Sequence, residues 1–250
     1  MLRILAAFIF FTRLPFWKIH SVPAEYFKNV VNYWTLTAWL TAGVTAGMLW
    51  LSSQVLPFSI AVLIAILSRI LLTGAFHEDG LADFFDGFGG GTTREKILAI
   101  MKDSHIGSYG VIGLIFYFGL FYMLICSLPF PLALVAILAG DPWSKFCASQ
   151  IINRLPYARK EEESKVKVIY NRMTPAAFIL SFIAAALPVI VFLPIHYWWA
   201  CILPLIIFWF LSSLMKKRLQ GYTGDCCGAM FLLCELSFYL GIAILYHSFI

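Results

Sequence analysis

The sequence predicts an all-α integral membrane protein, a polytopic helical bundle of about seven transmembrane helices. Three observations lead to this fold class. Hydrophobic residues make up 61% of the 250 residues and charged residues 12%, about half the charged fraction of a soluble domain. Apolar runs long enough to cross a bilayer recur along the chain. The charged residues are concentrated in a few of the segments between those runs.

We expect residues 1–32 to form an N-terminal interfacial or re-entrant segment, because Arg13 and Pro15 end the first apolar run early. A span needs roughly 20 mostly apolar residues. The runs that meet this length are 33–53, 57–76, 109–127, 129–152, 176–194, 197–215 and 229–248. We therefore treat residues 1–250 as one integral-membrane domain.

The segments between the runs are of two kinds. "SSQVLP", "SLPF" and "LPIHYW" are short and contain no Lys, Arg, Asp or Glu. The N-terminal segment, the 77–108 loop, the 153–175 loop and "KKRLQGYTGD" contain nearly all the charge. With seven spans, the charged segments all lie on one side. The preference of Lys and Arg for cytoplasmic loops predicts that this side, with the N-terminus, is cytoplasmic.

The stretch "FHEDGLADFFDGFGGG", residues 76–91, contains four of the thirteen acidic residues. On a helix, Asp79, Asp83 and Asp86 would fall within an arc of about 60°, with Glu78 off that arc. Three carboxylates on one face repel one another unless a cation binds between them. Oxygen-only ligands favour Mg²⁺, with Mn²⁺ as the alternative. Mg²⁺ bound to a protein is commonly also coordinated by phosphate oxygens of the substrate.

The residues after the acids also suit a phosphate. "GFGGGTTREK" starts with glycines that allow close backbone approach, and it continues into a predicted helix start with Thr92 as N-cap. Free amides at a helix N-terminus attract anions, and Arg94 and Lys102 add positive charge. We therefore read 77–108 as an acidic and glycine-rich catalytic loop that forms a metal–phosphate site at the membrane boundary.

Other charged segments would meet this loop on the cytoplasmic side. Arg13, Arg154 and Arg159 are candidate phosphate contacts, and a lipid headgroup contact is equally open for each. Asp225 could complete the metal shell. Glu235 falls inside the last span, where we expect it to pair with Arg69 or Lys145; Asp141 would pair with Lys145.

Five motifs, "FFTRLPF", "FHEDGLADFFDGFGGG", "IMKDSHIGSYG", "LPYAR" and "GYTGDCCGA", resemble in order and spacing those of the cobalamin synthase family. These enzymes are membrane adenosylcobinamide-GDP ribazoletransferases. The resemblance implies a reaction of adenosylcobinamide-GDP with α-ribazole or its 5′-phosphate, which releases GMP and requires Mg²⁺. It also implies a bacterial cytoplasmic (inner) membrane location, with the site on the cytoplasmic face.

The combined hypothesis assigns Asp79, Asp83, Asp86 and Asp225 to the metal, and Asp83 or Asp103 to proton transfer. The candidate substrate-binding residues are Arg13, His77, Glu78, Gly80, Arg94, Lys102, Ser104, Arg154, Arg159, Thr223 and Gly224. The lipid bilayer is the expected surrounding, and homo-oligomerisation is left open. No nucleic-acid partner is expected. The net charge of +5 is attributed to basic residues in the loops on the cytoplasmic side of the membrane, not to nucleic-acid binding.

The same residues are also compared with the patterns expected for two other functions. A CDP-alcohol phosphatidyltransferase also has acidic, glycine-containing motifs on membrane helices, but its pattern requires a longer acidic spacing than "DGLAD" provides. A cation-coupled transporter would distribute acids along a path through the spans, whereas most acids here cluster at one end.

Overall fold

The computed structural model describes residues 1–159 and 169–248, and this part of the chain is α-helical, as predicted. The helices are α1 (Leu2–Phe11), α2 (Trp34–Ser52), α3 (Phe58–Thr73), α4 (Phe76–Gly90), α5 (Arg94–Ile100), α6 (Ser108–Cys126), α7 (Phe130–Ser149), α8 (Ile151–Arg154), α9 (Pro175–Phe192), α10 (Ile202–Arg218) and α11 (Gly224–Ser248). Turns of 3-10 helix precede α2 and α10.

Each of the seven predicted spans coincides with a helix to within a few residues. Within the described residues, four helical segments are long and apolar enough to cross a membrane: α6, α9, α10 with the 3-10 turn before it, and α11. The bent pair α3–α4 would bring the number to five. The predicted spans at α2 and α7 lie outside this count; α2 contains four buried threonines and α7 the buried Asp141 and Lys145.

Helix α11 lies at the centre of the bundle. It packs against α4, α7, α10 and α6, while α2 packs against α3 and α7, and α9 covers α7. Much of α11 is buried, including Gly228, Met230, Cys234 and Phe238. The polar and glycine-containing first turn of this helix is therefore held at the middle of the charged end of the bundle.

The outer faces of the bundle are apolar. Leu63 and Leu67 on α3, Ile115 on α6, Ile190 on α9 and Phe210 on α10 are all more than half exposed. Such a surface is stable in hydrocarbon but not in water, because there is no polar solvent-facing layer over these helices. Together with the apolar helices of membrane-spanning length, this surface makes the chain an integral membrane protein.

A sharp bend separates α3 from α4. The two helices meet at 91°, and the turn consists of Gly74 with φ +69° and Ala75 with φ +57°. The predicted catalytic segment at 77–108 is helical over its first part, which belongs to α4 and agrees with the helix assumed for Asp79, Asp83 and Asp86. The predicted N-cap is also displaced by one residue: Thr93, not Thr92, accepts a hydrogen bond from the Lys96 amide at the start of α5.

The charged segments converge at one end of the bundle, as predicted. The amide of Arg13 donates to the Leu72 carbonyl, which ties the N-terminal segment to the end of α3. The Tyr222 amide donates to the Pro156 carbonyl, and a short parallel bridge joins Tyr157 to Tyr222. These contacts place the segment before α11 beside the one after α8.

Candidate active site

The acidic face of α4 forms as predicted. Because residues 76–90 are a continuous α-helix, Asp79, Asp83 and Asp86 share one face, spread over about 10 Å of helix length. Their environments differ: Asp79 is exposed, Asp83 is half-buried and Asp86 is buried. The three carboxylates are therefore aligned but not equivalent.

Asp86 caps another helix. Its two carboxylate oxygens accept hydrogen bonds from the amides of Gly107, at 2.7 Å, and Gly110, at 2.8 Å. These amides belong to the N-terminus of α6, where no side chain of α6 itself supplies a cap. A carboxylate is favourable there because it satisfies free amides and lies at the positive end of the helix dipole.

Helix α4 approaches α11 closely because two glycines lie in the contact. A methyl group on Gly80 would lie 3.0 Å from both the Cα and the carbonyl oxygen of Asp225. A methyl group on Gly228 would lie 3.0 Å from the carbonyl oxygen of His77. The pairing is antiparallel, so Asp83, one turn beyond Gly80, comes level with the turn that precedes α11. Asp79, Asp83 and Asp225 thus belong to one region.

The N-terminus of α11 is open toward this region. Thr223 is buried, and its hydroxyl accepts a hydrogen bond from the Cys226 amide at 3.3 Å. Gly224 has free space beside it: the nearest atom to a methyl group built there would be the Tyr170 hydroxyl, at 3.9 Å. Tyr170 was not predicted; it is a buried residue between two spans, and only the fold brings it to α11. Burial raises the pKa of Tyr170, so its hydroxyl stays protonated.

Two predicted phosphate contacts instead hold the charged segments together. Arg94 donates to the Leu219 carbonyl at 3.0 Å and to the Ala158 carbonyl at 2.7 Å. Arg159 is buried and donates to the Leu98 carbonyl at 2.9 Å. A guanidinium has five N–H donors, so each retains further donors, but its orientation is fixed by these carbonyls.

Arg218 has the same role and was missed by the sequence reasoning. It ends α10, donates hydrogen bonds to the carbonyls of Phe88 and Gly91, and lies over the Phe88 ring. The only sequence signal was the basic run at the end of the sixth predicted span. This contact anchors the C-terminal end of α4 to α10.

Two other arginines lie at the edges of the charged end. Arg13 is exposed, and its side chain lies against Gly74 in the bend before α4. Arg154 lies with its guanidinium carbon 3.7 Å from the centre of the Trp209 ring, and it contacts Ser213 at 3.5 Å. The structure therefore places the Arg13 side chain beside the start of α4 and the Arg154 side chain, from the end of α8, against α10.

The turn between α5 and α6 is exposed. It contains Lys102, Asp103, Ser104 and His105. The imidazole of His105 is 2.7 Å from a carboxylate oxygen of Asp103, and the His105 amide donates to the same oxygen at 3.0 Å. The side-chain hydrogen bond, followed by the backbone one, lowers the pKa of Asp103. Asp103 is consequently a weaker base than an unpaired aspartate.

His77 faces the interior of the bundle. Its ring is near-parallel to those of Phe11, 6.0 Å away, and Trp34, 5.4 Å away, and it meets Phe231 edge-on at 5.0 Å. Its Nε2 atom has no hydrogen-bond partner among the described residues. His77 was predicted to bind substrate; the structure gives it packing contacts between α1, α2 and α11.

A buried ion pair joins the helices behind the acids. Arg69 lies 2.7 and 2.6 Å from the two carboxylate oxygens of Glu235, and it donates to the Tyr117 hydroxyl at 2.5 Å. Glu78 lies 3.6 Å from the same guanidinium, and Tyr239 donates to Glu235 at 2.9 Å. The predicted pairing of Glu235 with Arg69 is confirmed, and one guanidinium thereby connects α3, α4, α6 and α11.

The second predicted ion pair is also present. Lys145 lies 2.7 Å from Asp141, one turn earlier on α7, and both are buried. Lys145 and Asp141 each contact the Thr41 hydroxyl, at 2.6 and 2.5 Å. This pair links α7 to α2 rather than to the acidic helix.

The carboxylates on α4 suit Mg²⁺. This ion prefers oxygen ligands and is usually bound by one or two carboxylates, with water and substrate phosphate completing its shell. Within residues 1–159 and 169–248, no group of three or more His, Cys, Asp or Glu side chains is placed to hold a metal. Asp79 and Asp83, one turn apart on one face, are the pair that fits, with Asp225 nearby and Asp86 engaged at α6.

Comparisons with known proteins agree with the motifs. Residues 3–243 match the family model CobS, cobalamin-5-phosphate synthase. The chain is 35% identical over 267 residues to an adenosylcobinamide-GDP ribazoletransferase of Leptospira interrogans, an alignment that covers 98% of this chain and 96% of the relative. It is 38% identical to the protein of that name from Shewanella frigidimarina, with 94% and 92% covered. No solved structure matches. The chain therefore belongs to the CobS, or cobalamin-5-phosphate synthase, family.

Proposed function

We propose that the protein transfers the adenosylcobinamide phosphate group of adenosylcobinamide-GDP to α-ribazole or α-ribazole 5′-phosphate, with release of GMP. The observation that carries this proposal is the family match over nearly the whole chain. Relatives matched end to end have the name of this transferase. The structure supports it with a region in which two helix elements suit a diphosphate: the acidic face of α4 and the first turn of α11.

We further propose that Mg²⁺ is the cofactor, with Mn²⁺ as a substitute, and that Asp79 and Asp83 hold it. Asp225, whose backbone lies against Gly80, is the nearest candidate for a third ligand. When bound, the cation would neutralise the charge that develops on the departing GMP. Asp86 is assigned to the α6 cap instead, since both of its oxygens accept amide hydrogen bonds.

The N-terminus of α11 is the proposed phosphate-binding element of the chain. The first amides of a helix point outward and lie at the positive end of its dipole. Gly224 leaves space for an anion to approach these amides, and the Thr223 hydroxyl already fixes the turn. Arg13, exposed beside the start of α4, is the proposed charged contact to the substrate.

Proton transfer is assigned to Asp83 rather than Asp103. A base must lie within reach of the ribazole hydroxyl, whose proton it accepts. Asp83 lies on the same helix face as Asp79, at the proposed diphosphate site, whereas Asp103 lies in the exposed turn before α6 and is hydrogen-bonded to His105. Asp103 is then proposed to orient the exposed turn before α6.

The proposal is tested with protein purified in detergent. It is incubated with Mg²⁺, adenosylcobinamide-GDP and α-ribazole phosphate, and release of GMP is measured. Asp83→Asn should abolish release while the protein stays folded and membrane-inserted, and Asp103→Asn should retain part of it. No GMP from the wild type would overturn the proposed reaction. Normal turnover by Asp83→Asn would overturn the assignment of Asp83 as metal ligand and base, but not the reaction itself.

We propose that the charged end of the bundle faces the cytoplasm of a bacterial inner membrane. The support is the concentration of Lys and Arg in the segments at this end, where both substrates would be soluble. A C-terminal fusion to alkaline phosphatase should then be active and a fusion to green fluorescent protein dark. The opposite pattern would reverse the orientation. The relatives named above are all ribazoletransferases, so neither the phosphatidyltransferase nor the transporter is proposed.

A further inference from the structure

A lateral groove lies on the side of α4 away from the acids. It has a volume of about 600 Å³ and runs between α6 and α10, with α11 beneath it and α4 at its end. Its lining includes Phe84, Phe88, Leu124, Phe210, Leu214 and Leu236. On α4, the lining residues Phe84, Phe85, Phe88 and Gly89 point about 80–180° away from Asp79. A molecule in this groove would therefore contact mainly the side of α4 opposite the acids.

The groove is as long as one half of a membrane. Ile207 and Arg218 both line it, and they are eleven positions apart on α10, a rise of about 16 Å. The hydrocarbon core of a bilayer is about 30 Å thick, so one leaflet supplies about 15 Å of acyl chain. The lining is almost wholly apolar, and Phe210, Leu120 and Leu240 at its edges are 63%, 43% and 44% exposed. The groove is thus open sideways to lipid.

Positive charge marks one end of the groove. Arg218 is the charged residue of its lining, at the end of the bundle where the loops converge. Lys217 is exposed and falls about 20° from Phe210 around α10, which places it on the rim. Among the described residues, neither Lys216 nor Lys217 forms an ion pair with a carboxylate. An anionic group at the depth of the lipid headgroups would complement the positive charge at this end of the groove.

We propose that the groove binds one anionic phospholipid, with an acyl chain along α10 and the phosphate at Lys217 and Arg218. The lipid would complete the packing around Phe84 and Phe88 and so support α4 from the side opposite the acids. A second copy of the chain suits this face less well. A two-fold interface uses the same patch of both copies, and with its axis along the bilayer normal it would bring the basic ends of two α10 helices together at one depth.

The test measures binding rather than activity. The full chain is purified, delipidated and titrated with phosphatidylglycerol or phosphatidylcholine of the same acyl chains, and bound lipid is counted by native mass spectrometry. Wild type should retain one phosphatidylglycerol and prefer it to phosphatidylcholine by about fivefold for each of Lys217 and Arg218, since a basic residue near an anionic headgroup contributes ~1 kcal/mol. Lys217→Gln should lower the preference by about fivefold.

Variants in the groove locate the site. Leu214→Trp should abolish retention of the lipid by filling the groove. Leu124→Trp, on the opposite wall, should have the same effect and replaces Leu214→Trp in the test if that variant folds poorly. Leu63→Trp, on the exposed face of α3, is the matched control and should bind as wild type. Equal retention of the two lipids by wild type, normal retention by both groove variants, or a dimer that dissociates on Leu214→Trp would overturn the proposal.

Discussion

The contact between α4 and α11 allows a sharp test with two glycine variants. Gly80→Ala would place a methyl group 3.0 Å from the Cα and carbonyl oxygen of Asp225. Carbon atoms in good contact are about 3.5–4.0 Å apart, so α4 and α11 must separate by roughly 0.5–1 Å. Both atoms belong to the backbone, so no side-chain rotation can relieve the contact.

A control variant separates the cost of the α4–α11 contact from the effect of helix propensity. Gly47 lies within α2, and a methyl group there would meet nothing within 4 Å. Gly47→Ala should therefore stabilise the protein by up to about 1 kcal/mol, because alanine is the better helix former. Gly80→Ala gains the same amount but loses about 1–3 kcal/mol by overpacking. The difference between the two variants, about 1–3 kcal/mol, measures the contact alone.

The assay compares thermal midpoints in detergent and GMP release for both variants. At this chain length 1 kcal/mol corresponds to roughly 2–4 °C, so Gly80→Ala should melt at least that far below Gly47→Ala. Activity should fall more steeply, because a displacement of about 1 Å in a reacting geometry can cost roughly 100-fold. Coincident midpoints and equal activities would refute the close approach of α4 to α11.

Three further predictions concern charged groups. Asp86→Ala should lower the free energy of unfolding by about 1–3 kcal/mol, because two α6 amides lose their acceptor. Asp86→Asn should lower it less. Equal thermal stability of the wild type and these two variants would argue against the cap. Arg69→Met should destabilise by about 3–5 kcal/mol, since it leaves the buried Glu235 and Glu78 without their cation, and adding Glu235→Leu should recover the part of this loss that is due to Glu235 in the same measurement. His105→Ala should raise the pKa of Asp103 toward the ordinary value of about 3.9, so that protonation of Asp103 begins at higher pH. Any acid limb of the pH–rate profile that depends on Asp103 should then shift to higher pH. An unshifted limb would exclude Asp103 as its source.

The sequence was sufficient for features that depend on local periodicity. The spacing of Asp79, Asp83 and Asp86 predicted their common helix face, and apolar length predicted the positions of α6, α9 and α10. The separation of basic loops from uncharged turns predicted which segments would meet. These signals lie within one helix or one loop, so no knowledge of packing was needed.

Features that depend on contacts across the chain were missed. Asp86 binds amides 21 and 24 residues further on, and nothing in the acidic stretch distinguishes it from Asp79. Arg94 and Arg159 were predicted as phosphate contacts, and nothing in their sequence surroundings indicates the carbonyls that they also bind. The bend was also hidden, because Ala75 adopts a positive φ that favours glycine and is rare for alanine. Tertiary packing overrides the local preference there.

The right-angled turn at Gly74–Ala75 determines which helix the acids meet. A helix that continued straight from α3 would carry Asp79, Asp83 and Asp86 beyond the end of that span. Because the chain bends by 91° there, α4 lies against α11 instead, with Gly80 at the backbone of Asp225. The bend thus sets the carboxylates beside the free amides of another helix rather than leaving them in open solvent.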